Sequence, residues 1–165
     1  MKRTALFLAP LLSLFLPSVA LPEVEIPVAS RVVNMPPGRC GWCALETLAR
    51  HLSIKALYGI VEQHPTNSRP KDLESAVAAS GAKYRIQSRG SRDIEILRRA
   101  IRDNLGAVVG FRPLVSGERG HIVTLVDFGS QEVHILDPND GKVRAMELGA
   151  FLERWDGFAL VLERP

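Results

Sequence analysis

The sequence predicts an α+β domain in which N-terminal helices pack on a C-terminal antiparallel sheet. Between about residues 40 and 106, apolar residues recur at spacings of three and four, which is typical of helices with one buried face. After residue 107, short apolar segments alternate with turn residues, which is typical of antiparallel strands. Helices and strands segregated in this way favour α+β over an alternating βαβ chain. A length of 165 residues allows one domain.

The first twenty residues have the pattern of a secretory signal peptide. A basic pair precedes an apolar segment over residues 5–16, and Ala20 ends a small-residue cleavage site. The apolar segment is shorter than a membrane span and is interrupted by proline. We therefore expect residues 1–20 to be a signal peptide and the protein to be exported, either periplasmic or secreted, with no stable membrane span after cleavage. An extended lead-in is predicted over residues 21–30 and the domain over residues 31–165.

Turn residues divide the domain into regular elements. Pro70 suits the first turn of a helix, with Ser68 as a candidate cap, and Gly81 suits its end. The predicted helices cover residues 40–52, 55–63, 70–81, 91–106 and 147–155. The predicted strands cover residues 83–88, 107–111, 121–128, 132–136, 142–146 and 158–163.

Cys40 lies where a loop rich in proline and glycine becomes the first helix. The unpaired N–H groups and the positive dipole end of a helix start lower the pKa of a thiol and favour the nucleophilic thiolate. Adjacent Arg39 could stabilise the thiolate further. A cysteine at a helix start is more often structural when it stands alone, so a catalytic role requires partners.

His121 and Asp137 are the predicted partners of Cys40. His121 opens a strand directly after Gly120, and Asp137 follows the next strand. If the two strands form a hairpin, the first residue of one lies beside the last of the other. An imidazole and its orienting carboxylate need this proximity. A shifted register would present Asn139 or Asp140 instead, and both stay open as alternatives.

Asn34 is a candidate donor for an oxyanion. It precedes Cys40 by six residues, and its side-chain N–H groups and the backbone N–H of Cys40 could together form an oxyanion hole. Alone, an asparagine in such a loop is more often a turn residue.

Together these residues resemble the papain-like peptidases that remove double-glycine leaders from bacteriocins. In that family an amide residue lies six positions before a Cys-Gly that opens a helix, and a Gly-His strand is later followed by Asp-Pro. The corresponding residues here are Asn34, Cys40-Gly41, Gly120-His121 and Asp137-Pro138. The resemblance extends over about residues 31–162. It implies a papain-like cysteine peptidase fold, a Cys-His-Asp triad, and cleavage of a peptide or amide bond.

Three features depart from the pattern of that family. The amide residue is usually Gln, which is one methylene longer than Asn34, and an acidic residue commonly stands where this chain has Arg39. The leader peptidases are usually cytosolic domains attached to an ABC transporter, whereas this sequence has an export signal and no nucleotide-binding motif. The resemblance therefore supports the fold and the triad better than it supports leader cleavage.

The Cys-Gly-Trp-Cys segment has other interpretations. In papain the nucleophile is the second cysteine of a similar segment, but six residues before Cys43 stands Pro37, which offers no donor, so Cys40 is preferred. A thiol–disulfide oxidoreductase could use both cysteines, although the βαβ unit typical of such proteins is missing around them. A catalytically inactive peptide-binding domain and a disulfide that silences a hydrolase also remain open.

Composition argues against nucleic acid as a partner. Without residues 1–20 the net charge falls from +3 to +1, and no run of basic residues is present. The histidines other than His121 lack the spacing of metal ligands, so no metal or other cofactor is expected. We expect Glu46 and Arg50 on a solvated helix face, a peptide or protein as the substrate, and leave the oligomeric state open.

Overall fold

The computed structural model describes residues 23–35, 38–113, 115 and 120–165. The predicted signal peptide lies outside the described residues. The described part of the predicted lead-in is held against the domain, because Val24 is buried and its N–H donates to the carbonyl of Val126 at 2.7 Å. It ends in a short 3-10 turn, Val28–Ser30, and so is not extended throughout.

The helices occur close to where the sequence predicts them. They are α1 (Cys40–His51), α2 (Ile60–Gln63), α3 (Pro70–Ser80), α4 (Glu95–Arg102) and α5 (Leu148–Arg154), with a 3-10 turn over Lys55–Leu57. The helix predicted over residues 55–63 is divided, because Gly59 adopts a left-handed conformation with φ of +74°. The helix predicted from about Ser91 begins only at Glu95.

The strands form one six-stranded sheet in which every neighbouring pair is antiparallel. They are β1 (Tyr84–Gln87), β2 (Ala107–Phe111), β3 (His121–Phe128), β4 (Glu132–Asp137), β5 (Lys142–Glu147) and β6 (Trp155–Leu162). Their order across the sheet is β1-β6-β2-β3-β4-β5. The last strand begins at Trp155 instead of Phe158, and its register with β2 shifts between the Val109–Ala159 and Phe111–Trp155 pairs.

The core lies around the middle of the sheet. Every residue of β2 and β6 is buried, which requires cover on both faces of these strands. Helix α1 packs on β3 and β2, and α4 packs on β2, β3 and β6. Leu45, Leu48 and Ala49 of α1 are fully buried, and each leucine contributes about 1.5–3 kcal/mol through burial. This packing fixes the start of α1 relative to β3.

The expectation of a solvated position for Glu46 is wrong. Its side chain is fully buried, and one carboxylate oxygen accepts hydrogen bonds from Arg50 while the other accepts the N–H of Val61 at 3.1 Å. Helix α2 covers this face of α1, so that Glu46 joins the two helices. Burial is tolerated because both carboxylate oxygens have donors.

Among the helices in the described ranges, none has the combined length and apolar character needed to cross a membrane.

Candidate active site

Cys40 is the first residue of α1, as predicted. The start of this helix is tied to the segment before α3, because the N–H of Gly41 donates to Ser68 Oγ at 2.9 Å. A Cβ at position 41 would lie 2.3 Å from Ser68 Oγ and 3.0 Å from Ile122 Cδ1. Residue 41 must therefore be glycine for the helix start to approach both β3 and the loop before α3 this closely.

His121 is the first residue of β3 and Asp137 the last residue of β4. The His121 Nε2 atom lies 2.9 Å from Asp137 Oδ1. The same carboxylate oxygen accepts the N–H of Asn139 at 2.9 Å, which restrains its orientation. This pairing leaves Nδ1 of the imidazole to face Cys40, whose thiol is hydrogen-bonded to the His121 side chain.

A one-residue bulge in β3 brings the imidazole and the carboxylate to the same face of the sheet. Asp127 pairs with His134, whereas Leu125 pairs with Ile135, so one residue of β3 is inserted between these pairs. If the Leu125–Ile135 pairing is continued towards the start of β3, Asp137 lies opposite Val123. Alternate residues of a strand face the same side of the sheet, so Val123 and His121 share a face, and Asp137 lies on it too. Without the bulge, Asp137 would lie opposite Thr124 and point away from His121.

Gly120 is also required by close packing at the start of β3. A Cβ at this position would lie 2.7 Å from the carbonyl oxygen of Phe111, the last residue of β2. Phe111 pairs with His121 in the sheet. The Gly-His sequence therefore allows the imidazole to stand at the very end of two paired strands.

The electrostatics favour a thiolate–imidazolium pair. Burial alone would raise the pKa of the Cys40 thiol, but hydrogen bonds from His121 and from the N–H groups of Ile122 and Gly41 outweigh it and lower the pKa. Burial alone would lower the pKa of His121, yet its hydrogen bonds to Asp137 and Cys40 raise it to about 9. Each group thus stabilises the charged form of the other.

Asp137 completes the electrostatic arrangement. Burial acts to raise the pKa of this carboxyl, but the hydrogen bond from His121 and the N–H of Asn139 outweigh burial and lower it. Asp137 is therefore a carboxylate at neutral pH, where His121 is protonated. Of the three alternatives for this position, Asp137 contacts the imidazole, whereas Asn139 binds Asn34 and Asp140 pairs with Arg144.

Cys43 differs from Cys40 in every relevant respect. It lies one turn into α1 and is completely buried. Burial raises the pKa of its thiol to about 12, despite the opposing charge of Arg39. Cys43 is thus a neutral, apolar-like side chain in the core, as a small buried thiol usually is.

Asn34 is buried beside the same cleft. Its Oδ1 accepts the N–H of Arg39 at 2.9 Å, and its Nδ2 donates to Asn139 Oδ1 at 3.0 Å. The amide group therefore connects the loop before Cys40 to the turn after Asp137. Because Nδ2 carries two hydrogens, the bond to Asn139 uses one of them and leaves a second N–H as a donor.

The guanidinium of Arg39 is directed at backbone carbonyls. It donates to the carbonyl of Val61 at 3.3 Å and to the carbonyl of Met35. The principal groups that lower the pKa of Cys40 are His121 and nearby backbone N–H groups. Arg39 thus supports the loop before the helix, which the sequence pattern did not predict.

Iodoacetamide is expected to alkylate Cys40 but not Cys43 in the folded protein, because only Cys40 combines accessibility with a lowered pKa. In His121→Ala, the thiol loses its hydrogen-bonding cation while its burial persists. We expect the pKa of Cys40 to rise and the alkylation rate at neutral pH to fall about tenfold. Mass spectrometry of the labelled peptide across pH measures both; superimposable pH profiles for the two proteins would contradict the ion pair.

Cys40 and His121 lie along a cleft of about 850 Å³. Sequence reasoning assigned no site role to several residues of this cleft, since they come from segments distant in sequence and carry no motif. Ser68, expected to cap α3, instead binds α1, and Arg69 takes the cap position with Asp72. Arg69 and Arg89 also lie along the cleft, together with Asn34 and Asn139, for which the sequence did predict candidate roles.

Two solved structures are similar to this chain over most of its length. One is a double glycine motif protease from an AMS/PCAT transporter in complex with the leader peptide; its TM-score is 0.60, its identity 16%, and the alignment covers 87% of this chain and 94% of that chain. The other is the peptidase domain of Streptococcus ComA, a bi-functional ABC transporter involved in a quorum-sensing pathway, with a TM-score of 0.57, 18% identity, and coverage of 81% and 97%. The chain has the fold of these double-glycine peptidase domains.

The predicted papain-like α+β fold is thereby confirmed. No protein-family model and no curated protein matches the chain. The double-glycine peptidase fold accounts for the order of elements, with the helix that starts at Cys40 packed against the strand that starts at His121.

Proposed function

We propose that this chain is a cysteine peptidase that cleaves a peptide or amide bond with Cys40, His121 and Asp137. The observation that carries the proposal is the continuous hydrogen-bonded series from the Cys40 thiol through the His121 ring to Asp137 Oδ1, located along an open cleft. The double-glycine peptidase fold, and a neighbour solved in complex with a leader peptide, support a peptide as the substrate.

The reaction would follow from the charges in the site. The Cys40 thiolate attacks the carbonyl carbon, and His121 gives its Nδ1 proton to the departing amine as the carbon–nitrogen bond breaks. His121 then accepts a proton from water, whose oxygen attacks the thioester and releases the acid and the thiolate. Asp137 holds the ring and stabilises its protonated form throughout.

Asn34 is the proposed donor to the oxyanion of each tetrahedral intermediate. Its second Nδ2 hydrogen and the backbone N–H of Cys40 would bind the oxygen that becomes negatively charged. The hydrogen bonds to Arg39 and Asn139 restrain the amide, which reduces the cost of orienting it for this role.

A thiol–disulfide oxidoreductase is the weaker proposal. Such proteins place their two cysteines in a βαβ unit with parallel strands. All strand pairs in the described part of this chain are antiparallel. A peptide-binding domain without catalysis remains the relevant alternative, because it would use the same cleft.

A peptide with a thiol-directed electrophile tests the proposed nucleophile. The reduced protein is expected to form a covalent adduct that Cys40→Ser abolishes and His121→Ala slows by at least about tenfold. Cys43→Ser is the matched control and should label like wild type, since Cys43 is buried. Labelling that is lost only in Cys43→Ser would assign the nucleophile to Cys43 and refute the triad.

We also propose export, with residues 1–20 removed and the peptidase domain over residues 31–165 preceded by the short lead-in. The basic, apolar and small-residue segments of the N-terminus support this. Expression of the full chain in a bacterial host is expected to give a protein outside the cytoplasm whose intact mass begins at Leu21. A full-length product that stays in the cytoplasmic fraction would refute export without affecting the proposed chemistry.

A further inference from the structure

We propose that Arg89 binds a carboxylate of the substrate in the active-site cleft and that Asp156 positions it. This inference rests on the proposed peptidase function and adds a substrate class, peptides that present a carboxylate near the cleaved bond. Arg89 lies along the same cleft as Cys40 and His121 and is a little more than half exposed.

Arg89 is held in place by the buried carboxylate of Asp156. Asp156 is only 8% exposed, and its Oδ2 lies 2.7 Å from Arg89 Nε in an ion pair. Its Oδ1 accepts the N–H of Phe158 at 2.8 Å, which fixes the carboxylate. An exposed arginine on a loop would otherwise sample many rotamers, so this anchor reduces the entropy lost when a ligand binds.

Two glycines make room for this anchor. A Cβ at Gly110 would lie 2.7 Å from Asp156 Oδ1, and a Cβ at Gly157 would lie 2.5 Å from the carbonyl oxygen of Ser91. The N–H of Gly90 also donates to the carbonyl of Asp156 at 2.7 Å. Before the arginine, Gln87 Nε2 donates to the carbonyl of Gly157 at 3.1 Å, so the loop that carries Arg89 is fastened to the start of β6 on both sides.

The charge of the cleft matches an anionic ligand. Its described lining contains Arg69 and Arg89 and no aspartate or glutamate. Arg69 already pairs with Asp72 at 3.1 Å. For Arg89, Nε faces Asp156 at 2.7 Å, and the two terminal nitrogens carry the other four N–H donors of the guanidinium. These nitrogens can therefore bind a carboxylate in the bidentate manner typical of arginine.

The carboxylate could come from an acidic side chain or from the C-terminus of a peptide, and small probes separate the two sources. Protein with Cys40→Ala and labelled arginine nitrogens would be titrated with N-acetyl-glutamate amide, N-acetyl-glycine and N-acetyl-glutamine amide, and the Nε–H resonance of Arg89 followed by NMR. We expect saturable shifts with at least one carboxylate probe and none with the neutral glutamine probe. If the Nε–H resonance of Arg89 does not shift at the highest soluble concentration of either carboxylate probe, the inference is refuted, whether or not the protein is a peptidase.

Cleavage of a peptide mixture by the active protein provides the second readout. Acidic residues or C-terminal carboxylates should be enriched at one fixed distance from the cleaved bond. Arg89→Gln is expected to remove this preference and lower kcat/KM for acidic peptides about tenfold, with Arg89→Lys keeping part of it. Asp156→Asn, which leaves the arginine but loosens it, should raise KM more than it lowers kcat.

Controls separate the two proposals. Arg92→Gln removes an arginine that donates to the carbonyl of Leu152 and takes no part in the cleft, so it should cleave like wild type. Arg89→Gln with Asp156→Asn removes both charges and covers the case in which the single variant fails to fold. Cleavage without any acidic preference refutes the role of Arg89 alone, whereas carboxylate binding without cleavage refutes the peptidase alone.

Discussion

Cys40→Ala is expected to abolish peptide hydrolysis, and His121→Ala to lower its rate by at least about 10³-fold. The first change removes the attacking atom, and the second removes both the cation that stabilises the thiolate and the acid that protonates the departing amine. The measurement is mass-spectrometric analysis of cuts in a mixture of peptides, with reduced purified protein and each variant at the same concentration.

Cys43→Ala and wild type should give the same cuts, because Cys43 is a buried thiol with a pKa raised to about 12 by burial. This control also separates hydrolysis from dithiol chemistry, which needs both cysteines. Wild type that binds peptides without cutting them would refute the peptidase and leave a binding domain. Equal hydrolysis by Cys40→Ala and wild type would refute Cys40 as the nucleophile.

The juxtaposition of His121 and Asp137 could be predicted because it depends on neighbouring strands. A short turn between two apolar segments implies a hairpin, and a hairpin brings the start of one strand to the end of the next. The register could not be predicted. The bulge after Leu125 decides that Asp137, and not Asp140, shares a face with His121, yet β3 carries no glycine or proline to mark it.

Contacts between distant segments were beyond sequence reasoning for another reason. Ser68 precedes Pro70 and has the local pattern of a helix cap, but its hydroxyl binds Gly41 because the packing of α3 against α1 brings the two together. Glu46 has the local pattern of a surface residue and is buried because α2 covers it. In each case tertiary packing determines the partner, and a local pattern does not contain that information.

Gly157→Ala is expected to lower the free energy of unfolding by about 3 kcal/mol or more. Gly157 has a φ of +94°, and an added Cβ would lie 2.5 Å from the oxygen of Ser91 and 2.7 Å from the nitrogen of Gly90. These are backbone atoms, which cannot move aside as a flexible side chain can. Urea denaturation followed by circular dichroism measures the change, provided that the slope with denaturant stays that of wild type.

Gly81→Ala separates the steric contribution from the conformational one. Gly81 ends α3 with a φ of +72°, and a Cβ there would meet nothing within 4 Å. Its substitution should cost only the left-handed penalty of about 1 kcal/mol. The difference between the two variants therefore measures how tightly the Arg89 loop is fastened to β6. If Gly157→Ala were no less stable than Gly81→Ala, the loop could move away from β6 at little cost, and Asp156 could not hold Arg89 in a fixed position.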